Sequence, residues 1–148
     1  MTYETYDILY ASNLEALKEE LLAYKNEEDI WKLHGGILNS PGNLAIHLCG
    51  NLNHFFGAVI GNNDYVRDRD YEFAVKEVSR DEIIKIIDDT IEVIVPILKN
   101  LTPEDLHKTF PADNFGDNQS VEWVLARLGF HFGYHLGQIN YHRRMFNY

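Results

Sequence analysis

The sequence predicts an all-α fold, and the most economical architecture for it is a four-helix bundle. Two observations carry that expectation. Apolar residues recur at three- and four-residue steps almost wherever a period can be read, and capping residues divide the chain into four long helical stretches of about 20 residues. The length of 148 residues bounds it further, to one domain with one core over 1–148.

The first helix runs from about residue 5 to residue 25, with Tyr6, Tyr10, Leu14, Leu17, Leu21 and Tyr24 on one face and Lys18, Glu19 and Glu20 between them. Residues 26–36 read as a turn or short helical piece around Trp31. Ser40-Pro41 starts the second helix: serine caps the exposed N–H groups, and proline loses nothing at the first position, where its N–H would have no partner. Leu44, Leu48, Leu52, Phe55 and Val59 form its buried stripe, and its end is expected near Gly61-Asn62. Ser79-Arg80-Asp81-Glu82 matches a capping box. The third helix continues from it through Ile83, Ile87, Ile91, Ile94 and Leu98, with Pro96 expected to kink or shorten it. Thr102-Pro103-Glu104-Asp105 reads as another capped turn, and residues 111–118 as loop. Ser120 caps the last helix, which runs to about residue 146 on a stripe of Val121, Val124, Leu128, Ile139 and Phe146. Histidine occupies the middle of that stripe. The connections are long enough to run the length of a bundle, so loop length alone leaves the topology open.

Thirteen Lys+Arg against 23 Asp+Glu give a net charge of −10, which argues against a nucleic-acid partner or an anionic membrane surface. A hydrophobic share of 45% rules out a disordered chain. The longest apolar stretch, residues 91–98, is broken by Glu92 and Pro96 and is far too short to cross a bilayer. The start, MTYETYDILY, has no secretory pattern, so a cytoplasmic location is expected. Cys49 is alone, which excludes an internal disulfide, CxxC redox chemistry and a Cys-rich zinc site. Any metal would be held by histidine or carboxylate.

Seven histidines make that possibility worth following. His131 and His135, four apart in HFGYH, stack on one helix face, where two imidazoles can reach one ion. At about 100° per residue, Gln138 and His142 share that face within about 40°, inside the core stripe. On the second helix Asn51 lies at the centre of the inner face, and His47 and His54 border it. His47, His131 and His135 are therefore expected to converge as a three-nitrogen site that suits Zn, Ni or Fe and leaves coordination positions open. The other reading is that carbonyls, carboxylates or one another satisfy these histidines. His54 and His142 fit either core-rim packing or a role beside the ligands, as hydrogen-bond partner to a ligand imidazole or as proton shuttle. His34 and His107 fall in turns and are expected in solvent. HFGYH lacks the glutamate of the H-E-x-x-H peptidase motif.

The segment Gly36-Ile37-Leu38-Asn39-Ser40 leading into Ala45-Ile46-His47-Leu48-Cys49-Gly50-Asn51-Leu52, the 65–73 stretch and Gly133-Tyr134-His135-Leu136-Gly137-Gln138-Ile139 together resemble the DinB-like superfamily. The resemblance covers most of the chain. It implies an up-down-down-up bundle with a long crossover between helices 2 and 3, a divalent metal (Zn, Ni, Fe or Mn) on His47, His131 and His135, and a homodimer. It also implies chemistry of one of two kinds, metal-dependent hydrolysis or S-transfer with an external low-molecular-weight thiol.

The functional expectation is therefore a metal-dependent enzyme that acidifies water or a cofactor thiol for a small-molecule substrate. His54 is a candidate proton relay, and Asn51 and Gln138 are candidates for orienting substrate or the ligand imidazoles. Tyr134 is as suited to packing as to proton donation. The 65–73 segment, with Arg67, Arg69, Asp70 and Glu72, is expected to pack along the bundle as internal ion pairs. Cys49 points away from the histidines on the wheel, so a cysteine nucleophile is not expected. The alternatives are a non-catalytic metal or small-ligand module of a stress response and a plain structural bundle.

Overall fold

The computed structural model describes residues 3–146, and helix dominates them: α1 (Tyr3–Leu22), α2 (Pro41–Leu52), α3 (Arg69–Ala74), α4 (Arg80–Lys99), α5 (Pro103–His107) and α6 (Val121–Phe146). A 3₁₀ turn at Glu27–Trp31 follows α1, and a π-helical segment, Asn53–Ile60, continues α2. Extended pairing among the described residues is confined to one bridge between Thr109 and Ser120.

The expected caps form these helices. The Ser40 hydroxyl accepts the Asn43 N–H ahead of Pro41, and Ser79–Glu82 and Thr102–Asp105 both close reciprocal capping boxes. The Ser120 hydroxyl accepts the Trp123 N–H at 3.1 Å. Three boundaries depart from the sequence reading. Helix α1 stops at Leu22, and Tyr24 turns inward so that its hydroxyl donates to His142 Nδ1 at 2.7 Å. Helix α4 is not shortened at Pro96 but runs on to Lys99. Proline removes only the bond to the Glu92 carbonyl, and both residues are exposed, so water can take that carbonyl. The capped turn at Thr102 extends into the short helix α5, which contains His107.

The apolar stripe of α1 is buried from Tyr6 to Tyr24, and it packs against the inner faces of α4 and α6. Helix α2 also packs on α4 and α6. Burial of each large side chain in this core contributes about 1.5–3 kcal/mol. Specific bonds show how the helices run. The Tyr10 hydroxyl donates to the Leu125 carbonyl at 2.6 Å, and Tyr24 reaches His142, so α1 and α6 run in the same direction. Lys18 pairs with Asp88 at 2.7 Å, while Arg80 donates to the Tyr24 carbonyl at 2.8 Å, so α1 and α4 are opposed. Asn53 donates to Thr90 at 2.9 Å and Gly61 abuts Ile97, which sets the α2 rod parallel to α4. No helix of the described residues is long and apolar enough to cross a membrane.

Candidate metal centre

His47 lies midway along α2, and His131 and His135 lie one turn apart in α6. The packing of these two helices brings the three together at the edge of the apolar core. One ligand atom from each lies within 4.8 Å of the others, so the three could hold a metal ion. Nε2 of His47 is 3.2 Å from Nε2 of His131. The rings meet edge to face, with centroids 4.6, 5.1 and 5.4 Å apart.

Each imidazole presents its nitrogens differently. His47 Nδ1–H donates to Oε1 of the buried Glu72 at 2.9 Å, an assignment that follows from the carboxylate partner and leaves Nε2 as a lone pair on the side of His131. Arg67 forks onto the same carboxylate, Nε to Oε2 at 2.9 Å and Nη2 to Oε1 at 2.8 Å. Its Nη2 also sits 3.3 Å from His47 Nδ1, but both are donors, so this is a contact and not a second bond. Burial pushes the Glu72 carboxyl up, yet the hydrogen bonds from Arg67 and His47 outweigh it and hold the group below its usual range. His135 Nδ1–H donates to Gln138 Oε1 at 2.7 Å, which again leaves Nε2 free. Burial is the main cause of its lowered pKa, His47 adds to it, and the Gln138 bond opposes it. Burial, then the neighbouring His135, His47, Arg127 and Arg67, push the His131 imidazole down to about 4. Its Nδ1 is buried with no hydrogen-bond partner.

This donor set fits a divalent ion. Burial favours the neutral, ligating form of His131 and His135, and 3.2 Å is close to the separation of about 3.4 Å between two nitrogens around a tetrahedral ion at about 2.1 Å.

Local sequence explains the positioning. Asp68 caps α3 by accepting the Tyr71 N–H at 3.0 Å, and the short helix then sets Glu72 against His47 Nδ1 and Phe73 against the His47 ring at 4.7 Å. Asn43, one turn before His47, clamps α3 in place: its amide donates to the carbonyls of Glu72 at 3.0 Å and Val75 at 2.8 Å. Its Oδ1 accepts from Ser40 and Lys76. Gly50 leaves the room that Glu72 fills, since a Cβ there would overlap Oε2 and lie 2.7 Å from Cδ.

The remaining expected residues are dispersed. Asn51 is buried one turn beyond His47, with Oδ1 unpartnered. His54, half-buried in the π-helical segment, packs edge-on to Phe55 at 4.7 Å; burial and then Arg67 lower its pKa while Glu72 raises it. Gln138 orients His135, as described. Tyr134 is exposed, edge-on to His135 at 5.3 Å. His142 takes the packing role: it accepts from Tyr24, donates through Nε2–H to the Lys32 carbonyl at 2.8 Å and stacks on Phe146. His34 and His107 are exposed. Cys49 is buried, and burial pushes its thiol up to about 12. The Arg67–Glu72 pair is internal, but its attachment to His47 has no local sequence signal except Gly50, a glycine inside an otherwise good helix.

Fold and site together define an all-helical protein with three convergent histidines. The chain belongs to the family described as protein of unknown function (DUF1572), whose model matches residues 8–148 and therefore takes in all three. A comparison with curated proteins gives no match.

Proposed function

We propose that the chain is a single-domain, DinB-like four-helix bundle that holds a divalent metal on His47, His131 and His135 and works as a metal-dependent hydrolase or thiol S-transferase. The bonds pairing α1 with α6, α1 with α4 and α2 with α4 support an up-down-down-up order with residues 61–79 as the long crossover. The convergence of the three imidazoles carries the functional reading. A bound divalent ion supplies Lewis acidity that lowers the pKa of a water or an external low-molecular-weight thiol. The chain's own residues prepare for that. Glu72 and Gln138 hold the Nδ1 hydrogens and so fix the ligating tautomers of His47 and His135, and Arg67 keeps Glu72 ionised. The unpartnered Asn51 Oδ1 is the group available to orient a substrate N–H or O–H, and His54 the one available to take a proton. With Cys49 buried and its pKa raised, any thiol chemistry uses a thiol from outside the chain.

Metal analysis of protein purified without a His-tag or chelator tests the reading. About one divalent ion per chain is expected, and the absence of both retained and rebound metal would sink the reading. Turnover assays with thiols, electrophilic acceptors and simple esters follow; a loaded protein inert to all of them is a binding module of a stress response instead.

A second copy is proposed to cover the outer face of α6, where Trp123, Phe130, Tyr134 and Tyr141 stand exposed in one stripe around Gly137, which has open space before it. Sedimentation velocity should show a dimer of the 17.2 kDa chain, and Phe130→Arg should shift it to monomer. A wild-type monomer at micromolar concentration would overturn this.

A further inference from the structure

A cavity of about 510 Å³ opens between the 36–39 loop, the start of α2 and the end of α6, within the range of sites that take small molecules. His135 and its partner Gln138 form part of the wall, so the cavity is contiguous with the candidate centre. Pro41 and Leu44 supply buried apolar surface from α2. Leu38, Tyr141 and Met145 stand around it with much of their surface in water, Leu38 at 85% exposure.

Charge is what the cavity lacks. In a chain with 24% charged residues, no Asp, Glu, Lys or Arg of the described residues lines it. His142 reaches the wall, but Tyr24 and the Lys32 carbonyl already engage both its nitrogens. Arg67, the cation next to His47, is committed to Glu72 and lies outside the lining. Arg144, over the Tyr141 ring at 5.5 Å, is not among the lining residues. A carboxylate or phosphate on the body of the ligand, away from the metal at the His135 end, would lose its hydration with no cation of the lining to replace it.

Resting on the metal-centre reading, we infer that this cavity receives a neutral small molecule with an aromatic or branched apolar body, whose polar head lies at the His135 end. Nucleotides, phosphorylated metabolites and peptide-like thiols with free carboxylates are selected against. The apolar body covers Leu38 and Met145, which stand exposed at the cavity.

Calorimetric titration of the metal-loaded protein with three hydroxamates tests the inference, because the chelating head stays constant while the body changes. Benzohydroxamate is expected to bind at least tenfold more tightly than acetohydroxamate and 4-carboxybenzohydroxamate. Leu38→Asp, at the exposed rim, should remove most of that advantage while metal content and acetohydroxamate binding stay unchanged. Equal affinities, or a preference for the carboxylated probe, would overturn the cavity proposal and leave the metal reading standing. Failure to load metal, seen before any hydroxamate is added, would remove both. If Leu38→Asp alters the sedimentation coefficient but not benzohydroxamate affinity, a second copy fills the groove and the proposal falls.

Discussion

Replacing Gly50 with alanine is expected to lower the free energy of unfolding by roughly 3 kcal/mol and to weaken divalent-metal binding ten- to a hundredfold. The added methyl group itself costs little. Its effect comes from where it lands, because the Cβ would overlap the Glu72 carboxylate, which has no slack: Arg67 forks it and His47 donates to it. Glu72 must therefore withdraw, which leaves a guanidinium and an imidazole N–H in contact without the carboxylate that accepts from both. Breaking a buried pair by removing one partner typically costs about 3–5 kcal/mol, and the slight exposure of Arg67 argues for the lower end. Gly133→Ala is the control, since a Cβ there meets nothing within 4 Å and a helix gains up to about 1 kcal/mol from the exchange. Urea unfolding and metal titration on the same preparations measure both effects. An unchanged midpoint and unchanged affinity for Gly50→Ala would show that Glu72 does not hold His47.

The same contact separates what was legible in the sequence from what was not. The stripes of α1, α4 and α6 could be read because helical periodicity is a local property and each stripe meets one continuous core. Tyr6 to Tyr24, Ile83 to Leu98 and Val121 to Ile139 are buried accordingly, with Ile91 only partly covered. The caps at Ser40, Ser79, Thr102 and Ser120 were readable for the same reason. His131 and His135 share a face by spacing alone, whereas pairing them with His47 needed either the wheel of a second helix or a family resemblance.

Features that depend on distant contacts left no periodic trace. The rod that begins at Pro41 changes to π-helical winding after Leu52, where the Asn53 side chain donates to the Cys49 carbonyl and to Thr90 of α4. A wheel at about 100° per residue loses phase there, and the angular position it gives His54 no longer holds. Glu72 was visible only as one of several charges in a polar segment. Its link to His47 depends on Asn43 gripping the carbonyls at the end of α3, a long-range bond no spacing rule contains.

Replacing His131 with leucine should act with opposite sign on the metal-loaded and the metal-free protein. Two remaining ligands hold a divalent ion poorly, so affinity should fall at least a hundredfold. Without metal the variant should resist acid better. In the wild type, burial and the neighbouring histidines and arginines hold the His131 imidazole at about 4, against 6.5 for the unperturbed group. The native state therefore refuses a proton that the unfolded chain accepts, and stability present above pH 6.5 is lost as pH falls towards 4. The full shift corresponds to roughly 3 kcal/mol, and solvent at the partly exposed ring reduces that. Leucine is close to histidine in volume, does not titrate and leaves no orphaned Nδ1, so its unfolding midpoint should decline less steeply between pH 6.5 and 4. The decline will not vanish, because His135 and His142 also have lowered pKa values and remain in place. Urea midpoints of both proteins across that range, with chelator present, measure the difference. Parallel curves would mean that His131 does not set the acid limit of the fold, and a variant that still binds metal at wild-type affinity would remove it from the centre altogether.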